Sequence, residues 1–298
     1  MKKYQIAALV IVLMCMSCKD NELFEREMYK NVVSLISSDY HNTFEEVVPL
    51  TGDEVIGYIA ASVGGTDATT QDIVIGLEED PTPLEIYNRS LYDEDESLYA
   101  KLLPVDKYEI KDYQIQINAG ERTGRTLVRL RPEGLSPDST YFIALKATDI
   151  ADVEINANKN TILYQVLIAN EYASQADDAL YSMSGMVDGV VTAGNKALFP
   201  LTKNSVRVIA GTEPFESTIS NINKTAIVLV VNEDNTVSIE PYRDIEVNQL
   251  NNDPSFPNTF HRETVFGRTY NSFLLSYEYT VNGTTRVMKE ELRMEVNY

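Results

Sequence analysis

The sequence predicts an all-β chain built from two modules, the first of them a sandwich. Three observations carry this. The 298 residues are 44% hydrophobic and 23% charged, ordinary for a folded chain, and at roughly 150 residues per domain the length accommodates two. Short runs rich in Val, Ile, Tyr and Thr alternate with Gly, Pro, Asn and Asp, the pattern of strands separated by turns. Near the end, Asn282-Gly283 stands between two alternating runs, a strong hairpin signal because both central turn residues must take φ > 0.

The chain opens on an address. Lys2 and Lys3 precede an apolar run over 6–14, followed by Ser17 and Cys18. This is the layout of a secretory signal, too short for the about 20 residues of a membrane-spanning helix. A small residue before Cys18 resembles a bacterial lipobox, loosely because of Cys15 and Met16. The expectation is a signal peptide over 1–17, lipidation of Cys18 and a tether over 18–27. Acyl chains hold such a protein at the membrane by burying CH2 groups, at about 0.8 kcal/mol each. Lys19-Asp20-Asn21-Glu22 resembles the acidic signal that sends Bacteroidetes lipoproteins to the outer face of the outer membrane.

Strands are expected at 32–36, 55–63, 73–77, 113–117, 126–130 and 141–147, with a helical turn near 84–91 after Pro81 and Pro83. Several short strands in about 120 residues suggest a sandwich. Asp93-Glu94-Asp95-Glu96 lacks EF-hand spacing and a Gly at the bend, so it reads as a solvated loop rather than a cation site. A polar stretch over 149–160 places the boundary near 160, giving modules over 28–158 and 159–298. In the second, strands are expected at 162–168, 180–187, 196–201, 205–209, 226–231, 236–241, 273–281 and 285–296. No internal repeat of fixed period is present, and no later apolar run approaches transmembrane length.

The hairpin turn fixes a register. A two-residue turn pairs Val281 with Thr284, hence Tyr279 with Arg286, Tyr277 with Met288, Leu275 with Glu290 and Phe273 with Leu292. That face is mostly apolar, and Glu290 is its exception. A buried carboxylate needs partners, so a neighbouring Arg or Tyr is expected beside it, a polar cavity being the alternative.

Composition narrows the function. Lys and Arg total 25 against 45 Asp and Glu, a formal charge of -20, which disfavours nucleic acid. Two Cys, both within the first 18 residues, and two His argue against a disulfide framework and a Cys/His zinc site. There is no G-x-S-x-G, P-loop, G-x-G-x-x-G or H-E-x-x-H motif. No catalytic residue, metal site or cofactor is expected.

Residues 28–150 resemble the N-terminal domain of Bacteroidetes lipoproteins encoded in polysaccharide-utilisation regions. The residues that carry this are 32–38, Gly64-Gly65-Thr66, Tyr87-Asn88, Leu103-Pro104 with Tyr108, Ile117 with Ala119-Gly120, and Leu135-Ser136 leading to 141–145. The stretch 160–164 and the terminal hairpin resemble the usual C-terminal companion. The resemblance implies an immunoglobulin-like β-sandwich, of unassigned biochemical function in that group, followed by a lipocalin-like antiparallel β-barrel. Ala144-Leu145 lacks a Pro that the pattern carries there. By analogy with the SusE and SusF class, it also implies a surface glycan-binding lipoprotein that serves a SusC/SusD-like importer. It transfers no binding residues.

Sugars stack on aromatic rings while polar groups fix their hydroxyls. Trp is absent, but Tyr numbers 18. The segment 249–270 reads as a long, aromatic, turn-rich loop, and such loops are disproportionately functional. Phe256, Phe260 and Tyr270 are candidate stacking rings there, and Asn258, His261, Arg262 and Arg268 candidate partners for hydroxyls or an acidic sugar. The competing readings are aromatics that merely pin the loop, a non-catalytic structural or adhesive surface protein, and, least supported, a glycoside hydrolase. The first testable outcome concerns the anchor: palmitate labelling should be lost in Cys18→Ala, and an unchanged membrane-bound fraction in that variant would contradict lipidation.

Overall fold

The computed structural model describes residues 31–65, 67–149, 153–176 and 179–296. The expected signal peptide, Cys18 and tether lie outside the described residues. The chain is mostly β, with four sheets and, among the described residues, two α-helices.

The first module is a two-sheet sandwich. Its strands are β1 (Val32–Leu35), β2 (Thr43–Pro49), β3 (Val55–Gly64), β4 (Ile73–Glu79), β5 (Lys101–Leu102), β6 (Tyr108–Ile110), β7 (Gln114–Ile117), β8 (Thr123–Leu130), β9 (Tyr141–Asp149), β10 (Glu154–Ile155) and β11 (Thr161–Ala169). One sheet has the order β10-β1-β3-β8-β6, the other β2-β11-β9-β4-β7 with β5 added beside β9. Alternation explains the layering. Along β3, Ile59, Ala61 and Val63 enter the core while Ile56 and Tyr58 face out. Helix α1 (Thr82–Tyr92) begins after Pro81, with Pro83 in its first turn, where a missing N–H costs little. Its buried Asn88 donates to Ala100 O (2.9 Å) and accepts from Ala100 N (2.8 Å), fixing the helix against the returning chain. In the acidic run, Asp95 Oδ1 accepts from Ser97 N (3.2 Å) and caps a short 3-10 turn.

β11 follows the boundary expected at 159, yet it lies in the first module, between β2 and β9. Its residues Ile162, Tyr164, Val166 and Ile168 join the sandwich core, and Leu163 is buried on the opposite face against Leu84 and Phe142. A strand buried on both faces has no polar alternation to advertise which module owns it.

The second module contains β12 (Leu180–Val187), β13 (Val190–Ala197), β14 (Phe199–Thr202), β15 (Ser205–Ile209), α2 (Ile219–Thr225), β16 (Ala226–Val231), β17 (Val237–Pro241), β18 (Glu246–Gln249), β19 (Thr259–Val265), β20 (Arg268–Val281) and β21 (Thr284–Val296). Strand pairing gives two half-barrels rather than one continuous ring. These are β13-β12-β21-β20-β18, with β19 also on β20, and β14-β15-β16-β17. Val206, Leu229, Phe273 and Leu292 fill the space between them. The β20–β21 register is the one the turn dictates, including Leu275 with Glu290, and Asn282 and Gly283 both take positive φ.

Glu290 is fully buried and satisfied from two sides. Lys196 Nζ lies 2.8 Å from Oε1 and 2.6 Å from Oε2, and Tyr277 donates to Oε1 at 2.6 Å. Tyr277 in turn accepts from Gly211 N (2.7 Å). Burial, and then the Glu290 charge, hold the Tyr277 hydroxyl well above its usual range. Burial pulls the Lys196 ammonium below its usual range, against the attraction of Glu290. Gly185 sits opposite Glu290, where any Cβ would strike the Lys289 carbonyl.

The modules are joined by polar contacts. Asp138 Oδ2 accepts from Arg207 Nη1 (2.5 Å), and Arg207, fully buried, lies 4.3 Å over the Phe199 ring. Gln175 accepts from Ile168 N and donates to Pro137 O, both at 2.8 Å. Asn170 donates to Thr202 O (2.7 Å) and Ser205 O (2.9 Å).

Removing one member of a buried ion pair strands the other charge, at a cost of about 3–5 kcal/mol. Lys196→Met should therefore lower stability by that amount in denaturant unfolding. Adding Glu290→Leu to it should recover most of the loss; a double variant as unstable as the single would refute the coupling.

Candidate functional site

The segment expected to be one long loop is mostly strand. β18 and β19 run in succession along the same edge of β20, pairing with 277–280 and 268–274. Only 250–258 leaves that edge. Ser276 would be unpaired there, but Leu250 N donates to Ser276 O (2.9 Å), and Ser276 N donates to the Asn258 side-chain oxygen (2.7 Å). Asn258 Nδ2 donates to Leu250 O (2.8 Å) and Asn251 Oδ1 (3.2 Å), closing the neck of the excursion. Asn258 has φ 57°, a left-handed conformation that Asn tolerates better than most residues. The excursion rests on the sheet through Lys289, 2.6 Å from Asp253, which holds the Asp253 carboxyl below its usual range.

The candidate residues therefore divide. Asn258 is buried and is a clasp, not a ligand contact. Phe260 is a core residue, 5% exposed and edge-on to Tyr172 at 4.9 Å, which corrects its assignment as a stacking ring. Phe256 is half-buried at the end of the excursion. Arg262 shares the Phe260 face of β19. It donates to Asn271 Oδ1 (2.8 Å) and Glu171 O (3.2 Å), and Asn271 also donates to Glu171 O (3.1 Å). His261, Tyr270 and Arg268 lie on the opposite, outward face. There His261 is hydrogen bonded to Thr259 Oγ1 (2.8 Å), and Arg268 pairs with Glu295 (3.3 Å). Glu295 raises the Arg268 guanidinium above its usual range, with Tyr270 contributing next. The half-buried Tyr270 ring lies under Arg293 at 4.3 Å, and Arg293 bonds Glu263 at 3.0 Å.

A cleft of about 480 Å³ lies at the module junction, and of these residues Glu171, Asn271 and Glu295 line it. Glu171 and Tyr172 of the connecting segment form one wall; Asn271, Met294 and Glu295 form the other. Arg262 and Asn271 hold the connecting segment in place through Glu171 O, and Glu295 is the cross-strand partner of Tyr270. On the far side of the same segment, Leu50, Tyr172, Lys203 and Asn204 border a second cleft of about 390 Å³. Junction clefts of this size suit small polar ligands. The sequence reading missed Asn271, Arg293 and Glu295, which only the strand register brings beside Tyr270 and Arg262, and Glu171, whose carbonyl Arg262 reaches from β19.

Nothing here resembles a nucleophile and its base. Ser90 Oγ is 3.0 Å from His41 Nε2, but its proton is donated to Tyr87 O (2.9 Å), and no carboxylate orients His41 among the described residues. Among those residues, no group of three or more His, Cys, Asp or Glu could hold a metal ion. Asp138 and Ser139, part of a short motif that could accept a sugar, are engaged with Arg207 and Lys101.

Residues 28–154 match a family model described as an N-terminal domain, and residues 160–293 one described as a C-terminal domain. The chain thus carries these two family domains in tandem. No curated protein matches it. Its fold is similar to that of a protein of unknown function from Bacteroides ovatus, at a TM-score of 0.68 and 17% identity, covering 89% of this chain and 94% of that one. A second protein of unknown function from Bacteroides ovatus gives 0.66 and 15%, covering 89% and 91%. An auxiliary nutrient binding protein from Bacteroides thetaiotaomicron gives 0.62 and 14%, covering 87% and 94%.

Substitutions separate the roles. Phe260→Ala should destabilise by about 3–5 kcal/mol as a core truncation. Asn258→Ala should cost about 1–3 kcal/mol by leaving buried groups unpaired. Tyr270→Ala should stay within roughly 0.5 kcal/mol of the parent, as surface changes do. Denaturant midpoints measure all three, and an Asn258→Ala protein as stable as the parent would remove the clasp.

Proposed function

We propose that this protein is a glycan-binding surface lipoprotein, held to the outer membrane by a lipid on Cys18 alone, and an accessory to a SusC/SusD-like polysaccharide uptake system. In this reading the first module is immunoglobulin-like and the second an opened lipocalin-like barrel. The observation that carries the reading is the junction cleft. Its lining includes the Asn170 and Asn271 carboxamides and the Glu171 and Glu295 carboxylates, and Tyr270, the cross-strand partner of Glu295, lies under Arg293 on the outward face of the same strands. Rings and guanidinium planes of this kind stack on the apolar faces of pyranoses, and the polar groups take the hydroxyls. The nutrient-binding name of one protein of similar fold supports the same direction.

The reading is non-catalytic. Glu171 and Glu295 share the cleft, and a glycosidase needs a carboxylate pair, one of them held protonated. Glu295, however, is engaged in an ion pair with Arg268 (3.3 Å). One observation favours the alternative of a structural or adhesive protein: Val190 and Val191 are 67% and 82% exposed on the edge strand β13, where a partner could add a strand.

Affinity electrophoresis against a polysaccharide panel tests the proposal. At least one polysaccharide should retard the protein, and Tyr270→Ala should weaken that binding by about 1–3 kcal/mol, the scale of a lost stacking contact. No reducing sugar should be released from the bound polymer. Failure to bind any member of the panel would remove the glycan reading, and turnover would remove its non-catalytic part.

A further inference from the structure

We propose a second carbohydrate surface, on the first module, that selects oligosaccharides bearing a carboxylate on each ring. It rests on the glycan reading of the protein but not on the junction cleft. The two sheets of the sandwich meet at an open corner where β7 passes β8. Gly124 of β8 approaches the backbone carbonyl of Gln116 so closely that no Cβ would fit. β6 pairs with β8 through Leu130, Arg129 and Val128, and Lys111 N donates to Leu127 O (3.3 Å), which leaves the edge from Thr123 to Thr126 facing that corner. Two adjoining clefts of about 330 and 500 Å³ lie along it, and Gln116 and Arg125 line both. Sharing these two residues, the clefts adjoin as one trough.

The chemistry of the trough is specific. Arg125 lies 4.3 Å over the ring of Tyr58, which is 38% exposed on the outer face of β3. Stacking leaves the guanidinium edge free to donate. Lys111 lines the smaller cleft beside it. Among the described residues, neither Arg125 nor Lys111 has a carboxylate within ion-pairing distance, in a chain where acids outnumber Lys and Arg by 45 to 25. Lys203, Lys224 and Arg243 also lack such a partner, but Arg125 and Lys111 share one trough. Gln114 and Gln116 supply carboxamides suited to hydroxyls, and Ile36 and Ala60 supply an apolar floor for ring carbons. Asp112 and Glu121 also line the trough, one in each cleft, so a bound carboxylate is met by Arg125, which lines both clefts, rather than by a uniformly positive surface. A uronate polymer offers one carboxylate per ring, which Arg125 can bind by paired N–H bonds, between hydroxyl-bearing faces that suit the amides and Tyr58.

The test uses the full chain, with polygalacturonate and alginate as probes and dextran as the neutral control, in affinity electrophoresis at low and high salt. The parent should bind at least one uronate polymer more tightly than dextran, and less so at high salt. Arg125→Gln should weaken that binding about tenfold or more, the loss of a charge-assisted contact, while the thermal unfolding temperature stays unchanged. Tyr58→Ala should weaken it as well, and Tyr270→Ala should leave it intact. Parent-like uronate binding by Arg125→Gln, or no uronate binding by the parent, overturns this surface even if another polysaccharide still binds through Tyr270. Uronate binding that depends on Arg125 while Tyr270→Ala changes nothing for any polysaccharide supports this surface and removes the junction cleft as the glycan site.

Discussion

A carboxylate taken out of water must be met by a cation and hydrogen-bond donors, and Glu290 imposes that condition on the whole second module. The tight turn at Asn282-Gly283 leaves no freedom of register, so position 290 faces inward whatever residue stands there. Satisfying it recruits Lys196 from β13, Tyr277 from β20 and, through Tyr277, the backbone after β15. Strands far apart in sequence are thereby tied at one point inside an otherwise apolar core. Such a pair adds little net stability compared with well-packed hydrocarbon, but it penalises any other arrangement of β13. The small residue at position 185 belongs to the same device, since it lets β12 and β21 approach beside the pair.

A second buried charge does the equivalent work between modules. Arg207 is sealed between aromatic rings and reaches Asp138 of the first sandwich. With Asn170 bonded to the second module and Gln175 to the first, residues 170–175 of the connecting segment are held from both sides. That matters for the cleft beside it, because Glu171 and Tyr172 contribute a wall only while the segment holds its place.

The hairpin was legible from sequence because turn chemistry and hydrophobic alternation agreed. The sandwich strands were legible for the same reason, as was the helix after Pro81. The segment 249–270 was not. In β19 only Phe260 is buried, while His261, Arg262, Glu263 and Thr264 are exposed, so the strand carries no apolar alternation. Its strand character comes from pairing with β20, which local composition cannot reveal. Tyr270 and Arg268 were read as candidates for a sugar, and the partners the structure gives them, Arg293 and Glu295, lie across a register that joins distant residues. β11 follows the polar stretch yet pairs with β2 and β9, because its apolar run carries no mark of the sheet it enters.

The excursion at 250–258 has an evolutionary consequence. Its two ends are sealed to the same rung of β20 by Leu250 and Asn258, so the ladder beneath runs on as if nothing had been inserted. Changes among residues 254–257 leave untouched the Asn251 and Asp253 contacts and both bonds to Ser276. The fold thus keeps an interchangeable cassette on an invariant frame, where descendants of this chain can acquire new surface chemistry at small structural risk.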